Sequence, residues 1–164
     1  MHNSDLSTAE KRAWAELIVW TIALLFIWMR LTAGIDLVGQ SIGFTVVEQS
    51  AARVFSAYLT VGILAAIAQL AVRAYFKSKG EPIDFRDERD IAIEKQANQA
   101  TYWVGVFTAQ FVIIHVLANE AFKRSPVASL DLTSATGIVL TLITILLLQE
   151  VARNVALLYL YKRS

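Results

Sequence analysis

Four long apolar runs alternate with shorter polar stretches along this chain, at about 14–33, 54–76, 100–120 and 135–161. A helix rising 1.5 Å per residue needs about 20 mostly apolar residues to cross roughly 30 Å of hydrocarbon, and each run meets that length. Within lipid, every backbone N–H and C=O must find its partner inside the segment or in a closed sheet. The runs are continuously apolar rather than alternating, so they predict helices and not barrel strands. The pattern predicts an all-α integral membrane bundle of four transmembrane helices, forming a single membrane domain over residues 1–164, with a charged loop and helix start at 77–99 between the second and third spans.

Composition agrees with the pattern. Of 164 residues, 56% are hydrophobic and the mean hydropathy is +0.52, above the range of ordinary soluble domains. The net charge of +1 provides no global basic field, so direct nucleic-acid binding is not expected. Cysteine is absent, which excludes disulfides, thiolate metal sites and thiol redox chemistry. The polar start MHNSDLSTAEKRA, followed by an apolar run without a small-residue cleavage site, reads as a retained first span rather than a cleaved signal.

Lysine and arginine set the expected orientation. Eleven of the fifteen lie in the N-terminal tail, the 73–95 segment and the C-terminal end, against four (Arg30, Arg53, Lys123, Arg124) on the other side. The positive-inside rule then puts both termini and the charged loop in the cytoplasm, which for a prokaryote means the inner membrane. On the opposite side, the connection 34–53 is too long for a tight turn and too apolar for a solvated loop. Its pattern matches neither helix nor strand cleanly, so partial order at the membrane surface is expected there.

The densest chemistry lies at 84–95, DFRDERDIAIEK, where eight of twelve residues are charged. Asp87, followed by Asp90, reads as the cap and acidic first turn of a helix that runs on into the third span. At 100° per residue Asp87, Asp90 and Glu94 share one stripe, beside a small apolar stripe of Ile93, Ala97, Ala100 and Val104 suited to close helix contact. Asp90 and Glu94 are four apart and repel weakly. That arrangement invites a basic partner: another protein, the KSK segment at 77–79, or a divalent cation. The plainer reading is a solvated helix end. Carboxylates at helical spacing without histidine make a poor metal site, so no metal is expected.

Asp87, Glu88, Arg89 and Asp90, continued by Ile93, Glu94, Ala97, Tyr102 and Trp103, resemble a family of small prokaryotic four-span membrane proteins with an Asp-Glu-Arg-Asp box before a span. The resemblance covers about a fifth of the chain. It implies four helical spans, no known catalytic activity, and frequent genomic proximity to small helix-turn-helix regulators. Partner-binding residues on this reading are Asp87, Glu88, Arg89, Asp90 and Glu94.

Polar residues inside the spans are the remaining candidates: Glu16, Gln69, Arg73, Gln110, His115, Asn119, Gln149, Glu150 and Arg153. Glu16, Arg73, Glu150 and Arg153 fall at similar depth, so Glu150 is expected to pair with Arg153 on its own helix, or Arg73 with Glu150 or Glu16. A compensated cluster that fixes helix register is the structural reading, and proton or cation coupling through Glu150 the functional one. His115 alone cannot build a bis-histidine haem site within one chain, and no cofactor is expected. No HExxH helix, phosphate loop or nucleophile elbow is present, so no catalytic residue is assigned and the chain is not read as an enzyme.

Three functions remain. The first is a membrane-anchored regulatory protein that docks a cytoplasmic partner, such as a small helix-turn-helix regulator, through 84–95. The alternative is a small transporter or channel subunit, homo-oligomeric because four helices rarely enclose a pathway, with Gln69, Gln110, Gln149 and Glu150 along the route. The third, an immunity or stress protein acting on the bilayer, has only the Trp-rich first span and the apolar external connection behind it. Gly62 and Ala66, four apart, offer a further helix contact of a spacing common to all membrane helices.

Overall fold

The computed structural model describes residues 7–36, 43–46, 49–79, 88–121, 132 and 134–163. Its elements, in order, are α1 (Thr8–Leu31), β1 (Thr32–Asp36), β2 (Gly43–Val46), α2 (Ala51–Ser78), α3 (Glu88–Ala121) and α4 (Ala135–Arg163). All four helices are long and apolar enough to cross a membrane. Both prolines, Pro82 and Pro126, fall in the connections, leaving the helix interiors with their full complement of N–H donors.

The helix starts are built by local hydrogen bonds. Ser7 N donates to Glu10 Oε2 at 2.8 Å and Glu10 N donates to Ser7 Oγ at 3.2 Å, a reciprocal capping box that begins α1 well before its apolar run. Gly137 N donates to Ser134 Oγ at 3.0 Å and caps α4 in the same way from one side. α3 continues from Glu88 through the polar segment into the third span without interruption, as its pattern predicts.

The expected first span, 14–33, overshoots the helix by two residues, because the chain leaves α1 at Leu31 and enters a short antiparallel hairpin. β1 and β2 pair Thr32 with Val46, Ile35 with Phe44 and Asp36 with Gly43, with an irregularity between Thr32 and Ile35. The connection that showed no clean period therefore contains strand. Gly34 and the irregular pairing disrupt the alternation over so short a segment.

α1 and α4 form the centre. α3 packs along α4 and α2 along α1, with a lighter contact between α2 and α4, while α2 and α3 make no substantial contact with each other. The core lies where α1, α2 and α4 meet: Ile27, Leu31, Val54, Ala57, Val61, Leu140, Ile143 and Leu147. In lipid such a seam gains little from the hydrophobic effect, because the tails it displaces are as apolar as the side chains. Close packing and interhelical hydrogen bonds hold it. Two such bonds tie the hairpin end: Trp28 Nε1 donates to Thr144 Oγ1 at 3.0 Å, and Gln49 N donates to Thr136 Oγ1 at 3.1 Å.

Along the α3/α4 seam the predicted small stripe does face its neighbour: Ile93 and Ala97 are buried, and Ala100 and Val104 half-buried. At Gly105 the side chain of Gln149 occupies the space a Cβ would need. Gly62, on α2, has nothing near it. The outward faces carry large apolar side chains such as Phe107, Phe111, Ile114 and Leu70, a surface fitted to lipid.

The contrast between the two glycines is testable. Gly105→Leu should push Gln149 aside, part α3 from α4 and lower stability in micelles by about 1–3 kcal/mol, the usual range for overpacking. Gly62→Leu should change it by less than about 0.5 kcal/mol, as outward substitutions do. Equilibrium unfolding followed by circular dichroism measures both.

Candidate functional site

The charged groups gather where the start of α1, the start of α3 and the end of α4 meet, at the end of the molecule opposite the hairpin. Arg153 of α4 stands at the centre. Its Nη2 donates to Glu94 Oε1 of α3 at 2.8 Å and its Nε to Asn98 Oδ1 at 3.1 Å, while Nη1 lies 3.9 Å from Glu16 Oε2 of α1. Glu16 is held in turn by Arg12, whose Nε donates to Glu16 Oε1 at 2.8 Å. About two turns further along α4, Tyr161 Oη donates to Asp90 Oδ1 at 2.9 Å, a second tie between α4 and α3.

These residues meet because of simple helical offsets. Arg12 and Glu16 are four apart on α1, and Asp90, Glu94 and Asn98 recur every four residues on α3, which lines them along α4. A guanidinium offers five N–H donors in a planar fork, so Arg153 can serve acceptors on two helices at once. The Glu16 side chain keeps only 7% of its exposure, whereas Arg153 and Glu94 keep about a quarter. The first carboxylate therefore depends on its two arginines for compensation, and the outer pair retains some water.

This arrangement corrects the expected pairing within the membrane. Arg153 does not turn to Glu150. It reaches Glu94 and Glu16, where two carboxylates and the Asn98 carboxamide oxygen together satisfy its fork better than one acid on its own helix could. Neither Glu150 nor Arg73 forms an ion pair among the described residues: Glu150 is half-buried and Arg73 is exposed on α2. Within the acidic stripe of α3, Glu94 meets a basic group on α4, Arg153, and Asp90 accepts from the Tyr161 hydroxyl. Asp87 lies outside the described residues, Glu88 and Arg89 are exposed, and Asp90 and Glu94 turn toward α4.

The remaining polar candidates are dispersed. Gln149 lies against Gly105, Gln110 is exposed on α3, Gln69 is half-buried on α2, and His115 is half-buried with its ring stacked on Phe111 at 6.2 Å between centroids. The side chain of Asn119 lies outside the described residues. Among the described residues no three His, Cys, Asp or Glu side chains converge to hold a metal ion.

Sequence reasoning missed Arg12, Asn98, Tyr161 and Asn154. The first two were readable as four-residue offsets from Glu16 and Glu94. Tyr161 carried no signal, because a terminal tyrosine reads equally as an interfacial anchor. Asn154, fully buried on α4, was visible as an amide within an apolar helix.

The fold and this charged end define the class: an integral membrane protein of four helical spans in which the start of α1 and the end of α4 come together. No family model, curated protein or solved structure matches the chain.

Removing the central group tests the cluster. Arg153→Met should destabilise the protein by about 1–3 kcal/mol, below the full figure for a buried pair because the guanidinium is partly hydrated. Tyr161→Phe should lose about 1 kcal/mol, the ordinary worth of one hydrogen bond. A double-mutant cycle of Arg153→Met with Glu94→Gln should show coupling of at least about 0.5 kcal/mol, because the two side chains touch; additivity would deny their pairing.

Proposed function

We propose that this protein is a membrane anchor that presents the aqueous start of α3 to a soluble partner. The observation that carries the reading is the two-sidedness of that segment. α3 has 34 residues, about 51 Å at 1.5 Å per residue, well beyond the roughly 30 Å of hydrocarbon its apolar part must cross. Its polar first turns are thus a rigid extension outside the lipid. One face, Asp90, Ile93, Glu94 and Ala97, is locked to α4, and the other exposes Glu88, Arg89, Ile91, Lys95, Gln96 and Gln99.

Ile91 is 56% exposed in the middle of that polar face. An apolar side chain ringed by charges is the composition of a small docking patch, in which the centre supplies burial and the rim supplies specificity and steering. Clamping by Arg153 and Tyr161 pre-organises the patch, so a partner need not order the helix on binding. The excess of lysine and arginine at this end supports a cytoplasmic orientation. The Asp87–Asp90 resemblance supports a small helix-turn-helix regulator as the partner, held at the membrane and away from DNA.

The test is photo-crosslinking in native membranes with a photo-reactive residue at position 91. A specific soluble protein should be captured, and capture should fall at least tenfold when Glu88→Lys and Lys95→Glu are introduced together, with helix content unchanged. Capture of lipid alone, or of the soluble protein at undiminished yield after the reversal, defeats the proposal.

A further inference from the structure

Three threonine hydroxyls within the spans turn onto carbonyls of their own helices: Thr60 Oγ1 donates to Ser56 O at 2.8 Å, Thr101 Oγ1 to Ala97 O at 3.0 Å and Thr108 Oγ1 to Val104 O at 2.7 Å. Gln110 is different. It is exposed on α3 and makes no hydrogen bond among the described residues, whereas Gln69 and Gln149 are half-buried. Position 110 is the middle of the apolar run 100–120, about 15 Å from either end at 1.5 Å per residue. A glutamine side chain cannot reach water over that distance. Left in hydrocarbon, its two N–H donors and its carbonyl oxygen have nothing to bond, which is costly.

The neighbours of Gln110 form a seam. Trp103, Phe107, Gln110, Ile114 and Leu117 are all exposed and follow one another at alternating intervals of four and three residues. That alternation keeps one face of a helix against a second helix crossing it at about 20°. The stripe points away from α4, whose side of α3 is marked by Glu94, Ala97 and Gly105. α3 is also the least shielded of the four helices.

We infer that a second copy of this chain covers the stripe, so that two α3 helices pair in parallel about a two-fold axis along the membrane normal. Copies inserted with the same orientation bring Gln110 opposite its own equivalent. A carboxamide is self-complementary across such an axis: the amide nitrogen of each donates to the carbonyl oxygen of the other. Helix axes about 8–10 Å apart leave the two side chains within reach. Lipid tails offer neither donor nor acceptor at this depth, and amide bonds between helices join spans that apolar contact alone holds loosely. Trp103 and Phe107 on one side of Gln110, and Ile114 and Leu117 on the other, supply the packing that keeps lipid from the amide pair. Ile91 lies about 120° around the helix from Trp103, so pairing along this stripe leaves the aqueous patch open to a soluble partner.

The chain has no cysteine, so single cysteines report the interface directly. With the full chain in its native membrane, oxidation by copper phenanthroline should link Ile114→Cys and Leu117→Cys into dimers in several times the yield of Ile67→Cys, which is similarly exposed on α2. Energy transfer between fluorescently labelled copies in liposomes, followed on dilution with lipid, measures the association itself. It should weaken about fivefold or more in Gln110→Leu, the loss expected for interhelical amide bonds, with helix content unchanged because the side chain faces outward. Dimer yields on the stripe no higher than at position 67, or links only to a different protein, overturn the inference. Undiminished association in Gln110→Leu overturns it as well, because the copies would then meet without the amide pair.

Discussion

A single guanidinium sets the relation between three helices. Arg153 reaches Glu94 and Asn98 on α3 and Glu16 on α1, and among apolar helices an unpaired charge is costly and a paired one is directional. Apolar faces alone allow helices in a bilayer to slide and rotate, since lipid and leucine offer similar contacts. A planar fork with acceptors on two neighbours permits one register. The positions of the α3 start, the α1 start and the end of α4 follow from that register.

The opposite end is fixed more quietly. Trp28 and Thr144 join α1 to α4, Gln49 and Thr136 join the start of α2 to α4, and the short hairpin closes the connection between α1 and α2. α4 takes part in the ties at both ends, which explains why it is the helix most shielded by its neighbours. α3 is held along one side only and presents Phe107, Phe111 and Ile114 outward. The polar ties sit near the ends, where water or headgroups can share the charge, and the middle of each seam is left to small and branched side chains.

Much of this was legible in the chain. The four helices followed from run length, and the start of α3 from an acidic first turn ahead of an apolar run. The small stripe through Ile93 and Ala97 followed from helical spacing. What could not be read was which charge meets which. Glu150 and Arg153, three apart, form an obvious local pair on paper, but the choice between a near acid and two distant ones depends on how α3 is rotated against α4. That rotation is a tertiary quantity, set by Gly105 meeting Gln149 and by Tyr161 meeting Asp90. The hairpin was hidden for a different reason: two strands of five and four residues are too short for a period of two to stand out.

The same rotation decides what the acidic segment can do. Had the whole stripe faced water, Asp90 and Glu94 would have been the natural contacts for a basic partner, and binding would have left the bundle untouched. With both turned to α4, a partner that competed for them would have to displace Arg153 and Tyr161 and so loosen α3 at its base. A partner that leaves the bundle intact must use the other face, where Ile91 stands between Glu88 and Lys95. The clamp divides the segment by face: Asp90 and Glu94 hold the helix to α4, and Glu88, Ile91 and Lys95 are exposed.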